Sequence, residues 1–444
     1  MSSTLFAFGI MSEMVPAIVI GAFIQFAYVE IWGVNAAHVS IIWTLFNVFK
    51  FFVIPSAGTI VDQSNNKIKL YLITTAISLV GFWIVWNPIL FANPAFILAQ
   101  MFLGLVLFAI GSTIQLIARS CMFSELFDPQ SRSAVAGIQQ LFSVAAIVAG
   151  VISPPIVSDG WLCTRYMASI MVLLTIVGAV CCAIGCSSRN KGKTEQKVTE
   201  PVKSQQESFL KRTWVSLKQS PELSLLFIAV LASNIGFAST LSSGQLYIKY
   251  FVPGVKGTRD ILGFALTSDA QIGLAQLSGQ IVTMFSTPLW LKLCARIGYG
   301  SSWALSGSAY GLSLILQYLF QNGSLEFLFF CQILGALTIP AVCVIPGLAL
   351  ADIVDTVKLK TGQNVAGHFQ GIISMSIILA SVLQGLISTA VFGASDYNPA
   401  LDVQSESALS AINNIAVFIP AVAFIISGAS MVAYKSSSSK IKTE

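Results

Sequence analysis

Charged residues are scarce in this sequence. Only 10% of its 444 residues are Asp, Glu, Lys or Arg, whereas about 25% is usual in a soluble globular domain. Apolar side chains make up 55% of the chain, and the mean hydropathy is +0.80. Apolar stretches long enough to cross about 30 Å of hydrocarbon recur along the whole chain. The composition therefore excludes an ordinary soluble domain and predicts an integral membrane protein.

The residues of catalytic and metal chemistry are also few. There are two histidines, His38 and His368, and the eight cysteines form no C-x-x-C pair. No Ser/His/Asp arrangement and no phosphate-binding loop occurs, so we expect neither an enzyme nor a cofactor. The net charge of +5 comes from short loops beside apolar segments, which argues against a nucleic-acid partner.

Length and hydropathy predict an all-α membrane protein with twelve transmembrane helices. The first apolar segment lacks the basic start of a signal peptide, so we expect it to be a span. The predicted helices are about 5–29, 38–61, 69–91, 96–122, 133–157, 163–185, 222–248, 264–291, 299–320, 325–351, 365–393 and 408–434. Because their number is even, both termini should lie on one side of the membrane.

The loops predict which side that is. Of the 24 Lys and Arg residues, 18 fall in one alternate set of loops and tails, and four fall in the other. The positive-inside bias makes the first set cytoplasmic, so both termini and the central loop should face the cytoplasm. A glycosylation sequon, Asn322-Gly323-Ser324, lies on the opposite side in this topology.

The chain divides into two similar halves. We expect six-helix bundles over 1–185 and 221–435, a flexible cytoplasmic linker over 186–220, and a cytoplasmic tail over 436–444. After the fourth helix of each half comes an acidic loop, then basic residues, then Val-Ala-Gly-x-x-Gln, at 135–140 and again at 365–370. Such a repeat predicts a binding site between the halves, reached alternately from each side.

Four stretches carry a family resemblance. "LADIVDTVKLKTGQNVAG" (350–367) resembles the loop between helices 10 and 11 of the glycoside-pentoside-hexuronide cation symporters, the melibiose-permease-like branch of the major facilitator superfamily. "LYIKYFVPG" (246–254), "SELFDPQSR" (124–132) and "IPSAGTIVD" (54–62) are similar to other loops and helix ends of that family. The resemblance covers both halves and implies the major facilitator fold and solute transport.

This chain also departs from the family's pattern at several positions where the family has charged residues. It expects two sodium-binding aspartates on the second helix, where this chain has Lys50 and Ile54. It also expects a sugar-binding acid at Leu116, an arginine at Gln140 and a lysine near Ile378. The carboxylates that a hard cation needs are absent from the second helix, so the family's sodium and galactoside sites do not carry over.

Two groups of polar residues are candidate functional sites. Amide and charged side chains on the predicted helices can bind a hydroxylated solute or a coupling ion. This cavity set is Glu13, Asn47, Lys50, Gln115, Arg119, Gln140, Asn234, Gln276, Gln280 and Gln370. Charges at the predicted cytoplasmic rim can form ion pairs or helix caps that open during transport. This gate set is Asp62, Glu125, Arg132, Asp352, Asp355 and Lys360, and Asp62 either caps a neighbouring helix or pairs with Lys67 or Lys69.

Glu13 and Lys50 lie at similar predicted depths, about 12 and 16 Å inside the cytoplasmic boundary at about 1.5 Å per residue. We expect them to interact, because an unpaired charge at that depth costs at least about 2.5 to 3.5 kcal/mol. The pair is then a structural replacement for the sodium site, or Glu13 binds a proton, or Lys50 binds an anionic or zwitterionic substrate. Arg119 is predicted near the end of its helix, where it can snorkel to the surface.

These observations predict a monomeric transporter that moves a small polar solute across a lipid bilayer, in the plasma membrane or an endomembrane. A sugar-like solute follows from the resemblance alone. Protons or another cation are candidate co-substrates. The alternatives are a transporter of an organic anion, a zwitterion or a lysolipid, and a membrane receptor or scaffold that transports nothing.

Overall fold

The computed structural model describes residues 2–28, 32, 34, 36–89, 93–157, 161–190, 209–252, 259–261, 264–266, 268–319, 324–361, 365–397 and 403–434. Sixteen α-helices, a π-helical segment and one short hairpin form within these residues. Most of the predicted linker, 191–208, lies outside them, as do Asn322 of the sequon and the predicted tail.

The first seven helices belong to the first half of the sequence. They are α1 (Ser2–Phe8), α2 (Met11–Phe26), α3 (Ala36–Gln63), α4 (Lys67–Trp86), α5 (Pro94–Leu126), α6 (Pro129–Val157) and α7 (Trp161–Asn190). A short amphipathic helix follows, α8 (Phe209–Gln219).

The second half contains α9 (Pro221–Phe251), β1 (Arg259–Ile261), β2 (Phe264–Leu266), α10 (Ser268–Ile297), α11 (Tyr299–Leu319), α12 (Leu325–Thr338), α13 (Pro340–Thr361), α14 (Ala366–Gly393), α15 (Glu406–Asn413), the π-helical segment Asn414–Phe418 and α16 (Ile419–Met431). β1 and β2 pair antiparallel, with Asp260 opposite Ala265. The eighth predicted helix was expected from 264, so its first residues were assigned wrongly, because β2 occupies 264–266.

Three predicted helices are interrupted. The first breaks between α1 and α2, the tenth breaks at Ile339, and the twelfth contains the π-helical segment. Ile339 keeps helical dihedral angles, but Pro340 after it has no N–H to donate to the carbonyl of Ala336, which accepts the hydroxyl of Ser286 at 3.1 Å. Counting each interrupted helix as one and leaving out α8, the described helices follow the order of the twelve predicted spans. Nine described segments have the length and hydropathy needed to cross a membrane.

The chain forms two compact units. Unit 1 contains Met1–Trp214 together with Leu350–Met375, and unit 2 contains Val215–Ala349 and Ser376–Glu444. Unit 1 therefore includes the end of α13 and the start of α14, which come from the second half of the sequence. The bundle boundaries expected from the sequence remain a prediction.

Small residues bring α4 and α5 together in unit 1. A Cβ added to Gly81 would lie 2.4 Å from the backbone nitrogen of Phe108, and one added to Gly111 would lie 2.4 Å from that of Ser78. Only glycine fits such backbone contact, and small residues at helix interfaces are typical of membrane bundles. Buried aromatic side chains such as Phe82 fill the rest of this core.

In unit 2, α16 packs against both α9 and α11. The indole nitrogen of Trp303 donates to the hydroxyl of Ser427 at 3.0 Å, and that hydroxyl donates to the carbonyl of Ala229 at 2.8 Å. Phe424 stacks edge-on against Tyr310 and Phe237. The three helices are thus joined by one buried hydrogen-bond chain and one aromatic cluster.

Candidate functional site

The break between α1 and α2 places polar groups inside unit 1. A Cβ on Gly9 would lie 2.5 Å from the Cβ of Cys182 on α7, so glycine is needed where the first helix is interrupted. The Ser12 hydroxyl donates to the Gly9 carbonyl at 2.7 Å. Ser12 and Glu13 then form the first turn of α2, and both are buried.

Glu13 forms an ion pair with Arg119. The guanidinium Nε donates to Glu13 Oε1 at 2.6 Å, and both side chains are less than a tenth exposed. The expected partner of Glu13, Lys50, was therefore wrong. The physical reason is depth: α5 continues to Leu126, which places Arg119 about 10 Å inside the helix end at about 1.5 Å per residue. Arg119 thus reaches the level of Glu13 and does not snorkel.

A hydrogen-bond network surrounds this pair. Gln115, one turn before Arg119 on α5, donates its amide to the Ser12 hydroxyl at 3.0 Å. The same hydroxyl is 2.7 Å from the hydroxyl of Tyr71 on α4. The carbonyl oxygen of Gln115 is buried and accepts no hydrogen bond from any residue that the structure describes. Neither Tyr71 nor Ser12 was predicted, because hydroxyls are common in apolar spans and no spacing distinguishes them.

Lys50 lies in the middle of α3, away from its exposed apolar face. That face carries Ile41, Val48 and Phe52, whereas Lys50 shares the row of buried Phe46 and Ile54, four residues on either side. Within the described part of the chain Lys50 has no hydrogen bond and no ion pair. Because Glu13 neutralises Arg119, Lys50 is left as a positive charge inside a span.

The other predicted cavity residues are divided between the units. Asn47 in unit 1 and Asn234 in unit 2 each donate to the backbone carbonyl four residues earlier on their own helix, which is a local structural role. The remaining amides with described side chains are half-buried. They are Gln140 and Gln370 in unit 1, and Gln280 in unit 2. The side chain of Gln276 lies outside the described residues, and a shared cavity stays a prediction.

Several gate residues meet in unit 1, in a contact that we name the clasp. Its first part is Asp62, at the end of α3, whose two carboxylate oxygens accept the backbone N–H groups of Gly367 at 2.7 Å and His368 at 2.9 Å. Asp62 therefore caps the start of α14, one of the two roles considered for it, and the helix dipole favours its negative charge. A Cβ on Gly58 would lie 2.8 Å from the Gly367 carbonyl oxygen, so the two backbones touch.

The second part of the clasp is Arg132, at the start of α6. Its Nη1 donates to Asp355 Oδ2 of α13 at 2.5 Å, and its Nε donates to the Phe127 carbonyl at 2.9 Å. A further bond to the carbonyl of Ser124 fixes the guanidinium, whose side chain is 4% exposed. A positioned guanidinium loses little entropy on pairing, so this ion pair is stronger than an exposed one.

The remaining gate residues are Glu125, Asp352 and Lys360. Glu125 pairs with Lys67 at the start of α4. Asp352 is buried, and Lys360 is exposed at the end of α13. A pocket of about 190 Å³ beside the clasp is lined in part by Glu125, Arg132 and Asp355.

Sequence comparison gives the family. The family described as MFS/sugar transport protein matches residues 5–438, which is almost the whole chain. The chain belongs to this family. It is therefore a membrane transporter of the major facilitator superfamily, and members of that superfamily are not enzymes.

The chain is similar to one curated transporter and to two solved transporter structures at low sequence identity. It is 22% identical over 445 residues to the isoprimeverose transporter of Lactiplantibacillus pentosus, covering 94% of this chain and 84% of that protein. A bacterial homologue of the iron transporter ferroportin, in an outward-facing state, superposes with a TM-score of 0.71, 14% identity and 98% and 99% coverage. The E. coli fucose:proton symporter gives a TM-score of 0.64, 14% identity and 98% and 97% coverage. These structures show the fold alone.

Proposed function

We propose that this protein is a carrier that moves a small, uncharged, sugar-like solute by alternating access. The family and the relative named as an isoprimeverose transporter support a sugar as the first class of substrate. In this mechanism the bundle of residues 1–185 rocks against that of residues 221–435. Both termini face the cytoplasm and the carrier acts as a monomer in the bilayer.

The clasp is the observation that carries this proposal. It joins helix ends of the first half to residues 355 and 367–368 of the second half with one ion pair and one helix cap. An ion pair and a helix cap are specific contacts that form or break as a unit, so they suit a surface that must separate and close repeatedly. We place this surface on the cytoplasmic side, where Lys and Arg are concentrated.

The carrier works without the sodium site of the related symporters. Lys50 and Ile54 stand where that site has carboxylates, and a lysine ammonium both repels a metal cation and offers it no oxygen ligand. Uptake should therefore be indifferent to sodium.

The charge on Lys50 supports a second candidate function. It is half-buried, opposite the exposed apolar face of α3, and its sequence neighbours on the same row are buried. A substrate carboxylate or phosphate would compensate a charge that otherwise costs about 2.5 to 3.5 kcal/mol. An organic anion, a zwitterion or a lysolipid would then be the solute.

Uptake into proteoliposomes tests both candidates. The panel contains isoprimeverose, its neutral components xylose and glucose, glucuronate, an amino acid and a lysolipid, each with and without sodium. Neutral sugar uptake that is unchanged in Lys50→Gln supports the first candidate. Uptake of an anion that is lost in Lys50→Gln and retained in Lys50→Arg supports the second.

The clasp is tested with the same vesicles. Arg132→Ala and Asp355→Ala should each slow uptake several-fold, and exchanging the two charges in one variant should restore part of it. Strict sodium dependence, or no movement of any compound in the panel together with binding of a cytoplasmic protein to residues 186–220, would contradict the proposal. The latter result would indicate a receptor or scaffold.

A further inference from the structure

We propose that α8 lies on the membrane surface beside α9 and binds anionic phospholipids of the adjacent leaflet. The helix occupies Phe209–Gln219, in the segment that the sequence predicted to be a flexible linker. Neither the clasp nor the hydrogen-bond network around Glu13 includes it. The inference concerns the recognition of lipid, so it does not depend on which solute the carrier moves.

The charge of α8 points to an anionic partner. Its eleven residues, FLKRTWVSLKQ, include Lys211, Arg212 and Lys218 and no acidic residue. Residues 186–220 as a whole contain eight Lys and Arg and three Glu, and this excess of five equals the net charge of the entire chain. Basic residues concentrated beside a span, or on an amphipathic helix, are typical of attraction to anionic lipid headgroups. The bilayer supplies such headgroups directly beside this segment.

One exposed stripe of α8 combines an aromatic ring with lysines. The side chain of Trp214 is 61% exposed, and Lys218, one turn later, is exposed as well. Position 211, where the sequence has a lysine, lies one turn before Trp214 on the same side of the helix. Thr213 lies away from this stripe and is buried. The fold therefore covers another side of α8 and leaves outside a tryptophan that lies between two lysine positions.

This combination suits the boundary between lipid headgroups and hydrocarbon. An indole is apolar except for one N–H donor, and tryptophan is for that reason enriched at membrane interfaces. A lysine lays its methylene chain along apolar surface and keeps its ammonium group at the level of the phosphates. Val215, which is also exposed, adds apolar area next to the ring. The bilayer interface accommodates the ring and the ammonium groups together, whereas water favours only the ammonium groups.

The joint with α9 holds α8 at the level of the headgroups. α9 begins at Pro221, and its first 20 residues have the length and hydropathy of a span. Only Ser220 separates the two helices, and its backbone N–H donates to the Ser216 carbonyl at 3.0 Å. The Ser224 hydroxyl of α9 donates to the Leu217 carbonyl of α8 at 2.6 Å. Since α8 is only about 16 Å long at about 1.5 Å per residue, this attachment keeps its stripe near the membrane surface.

Brominated lipids test the contact in the full-length protein, because bromine quenches the fluorescence of a nearby indole. The nanodiscs contain equal amounts of phosphatidylglycerol and phosphatidylcholine, with bromine on the acyl chains of one lipid or the other. Quenching should be stronger when the anionic phosphatidylglycerol carries the bromine. This excess should be largely lost in Trp214→Phe and retained in Trp83→Phe, which removes an exposed ring from α4. An excess that Trp214→Phe leaves unchanged, or equal quenching by both lipids, would overturn the proposal.

Removal of charge shows whether the basic residues of α8 select the lipid. The α8 variant combines Lys211→Gln, Arg212→Gln and Lys218→Gln. The control removes the same charge from exposed positions elsewhere and combines Lys69→Gln, Lys292→Gln and Arg296→Gln. The preference of the Trp214 signal for phosphatidylglycerol should fall by about five-fold per charge in the α8 variant and persist in the control. Equal losses in both variants would contradict the proposal, because the overall charge of the protein would then attract the lipid.

Hydrogen exchange of peptides from 209–219 gives an independent measure. Exchange should be slower in nanodiscs that contain phosphatidylglycerol than in nanodiscs of phosphatidylcholine alone, and the α8 variant should remove this difference. Added salt should also reduce it, because dissolved ions screen exposed charges. Equal exchange in the two bilayers would overturn the proposal, and protection only by an added soluble protein would assign α8 to a protein partner instead. Either result leaves the proposed carrier standing, since no solute enters the measurement.

Discussion

At the scale of single residues, the buried ion pair of Glu13 and Arg119 affects the stability of unit 1. Each charge is tolerated there only while the other neutralises it. Replacing Arg119 by Leu leaves a buried carboxylate without a cation, which should lower the free energy of unfolding by about 3 to 5 kcal/mol. Adding Glu13→Leu in the same chain should recover most of this loss, since two apolar side chains can fill the site. Unfolding of the purified variants in detergent measures both changes.

An additive result would contradict this account. If the double variant lost as much stability as the two single variants together, the charges would act on separate neighbours. Lys50→Leu is the matched control, because it removes a span charge that has no described ion pair.

Gly367 permits the close contact between α3 and α14 in unit 1. A Cβ at this position would lie 2.6 Å from Asp62 Oδ1 and 2.7 Å from the Gly58 carbonyl oxygen. Gly367→Ala should therefore destabilise the protein by about 1 to 3 kcal/mol through overpacking, as measured by thermal unfolding. Gly385→Ala, on the same helix with open space around it, should be neutral or stabilising by up to about 1 kcal/mol. Equal effects of the two changes would argue against the contact.

Single residues also show where sequence reasoning reached its limit. The scarcity of charged residues was enough to identify Glu13, Lys50 and Arg119 as candidates, because a charge inside a span is costly and is usually paired or functional. The pairing among them depended on where a helix ends, and a four-residue error at the end of α5 hid the correct partner of Glu13. Residue depth can be counted from a sequence, but the rotation of one helix against another cannot.

At the scale of elements, Asp62 acts as the cap of α14. An amide oxygen in Asp62→Asn can accept one of the two N–H groups but lacks the charge that favours a helix start, so the cap should weaken by about 0.5 to 2 kcal/mol. Hydrogen exchange of the amides at 366–369 should become faster in this variant. Mass spectrometry of peptides from the start of α14 measures the change.

Ser405 provides the matched cap. Its hydroxyl accepts the backbone N–H of Ala408 at 3.1 Å at the start of α15. Ser405→Ala should speed exchange in α15 and leave α14 unchanged. Unaltered exchange at 366–369 in Asp62→Asn would mean that the cap does not stabilise this helix.

The order and approximate ends of the long apolar helices were predicted well, because hydropathy alone determines them. The twelve spans were placed from length and apolar content, and most observed ends differ from the expected ones by a few residues. The interruption after Phe8 and the hairpin at 259–266 were not predicted. The first depends on the fit of Gly9 against Cys182 across the bundle, and the second on pairing between two three-residue strands, so neither is a local property of the sequence.

At the scale of the whole molecule, membrane orientation determines which side the clasp faces. The distribution of Lys and Arg predicts a cytoplasmic loop between α10 and α11 and an external loop between α11 and α12. We therefore expect Lys292, which precedes α11 in the sequence, and Asn322, which follows it, on opposite sides of the membrane. From the sequence we expect the clasp on the Lys292 side, because its residues lie near helix ends beside loops of the same alternate set.

Two single-cysteine variants of a cysteine-free background test this orientation. In intact cells an impermeant maleimide should label Asn322→Cys and not Lys292→Cys, whose position is exposed in the structure. After permeabilisation both should be labelled, which shows that each site is reachable. The reversed pattern would put the clasp outside the cell, so that its opening would admit solute from the exterior and its closure would protect the cytoplasmic exit. Every assignment of direction in the transport cycle therefore depends on this measurement.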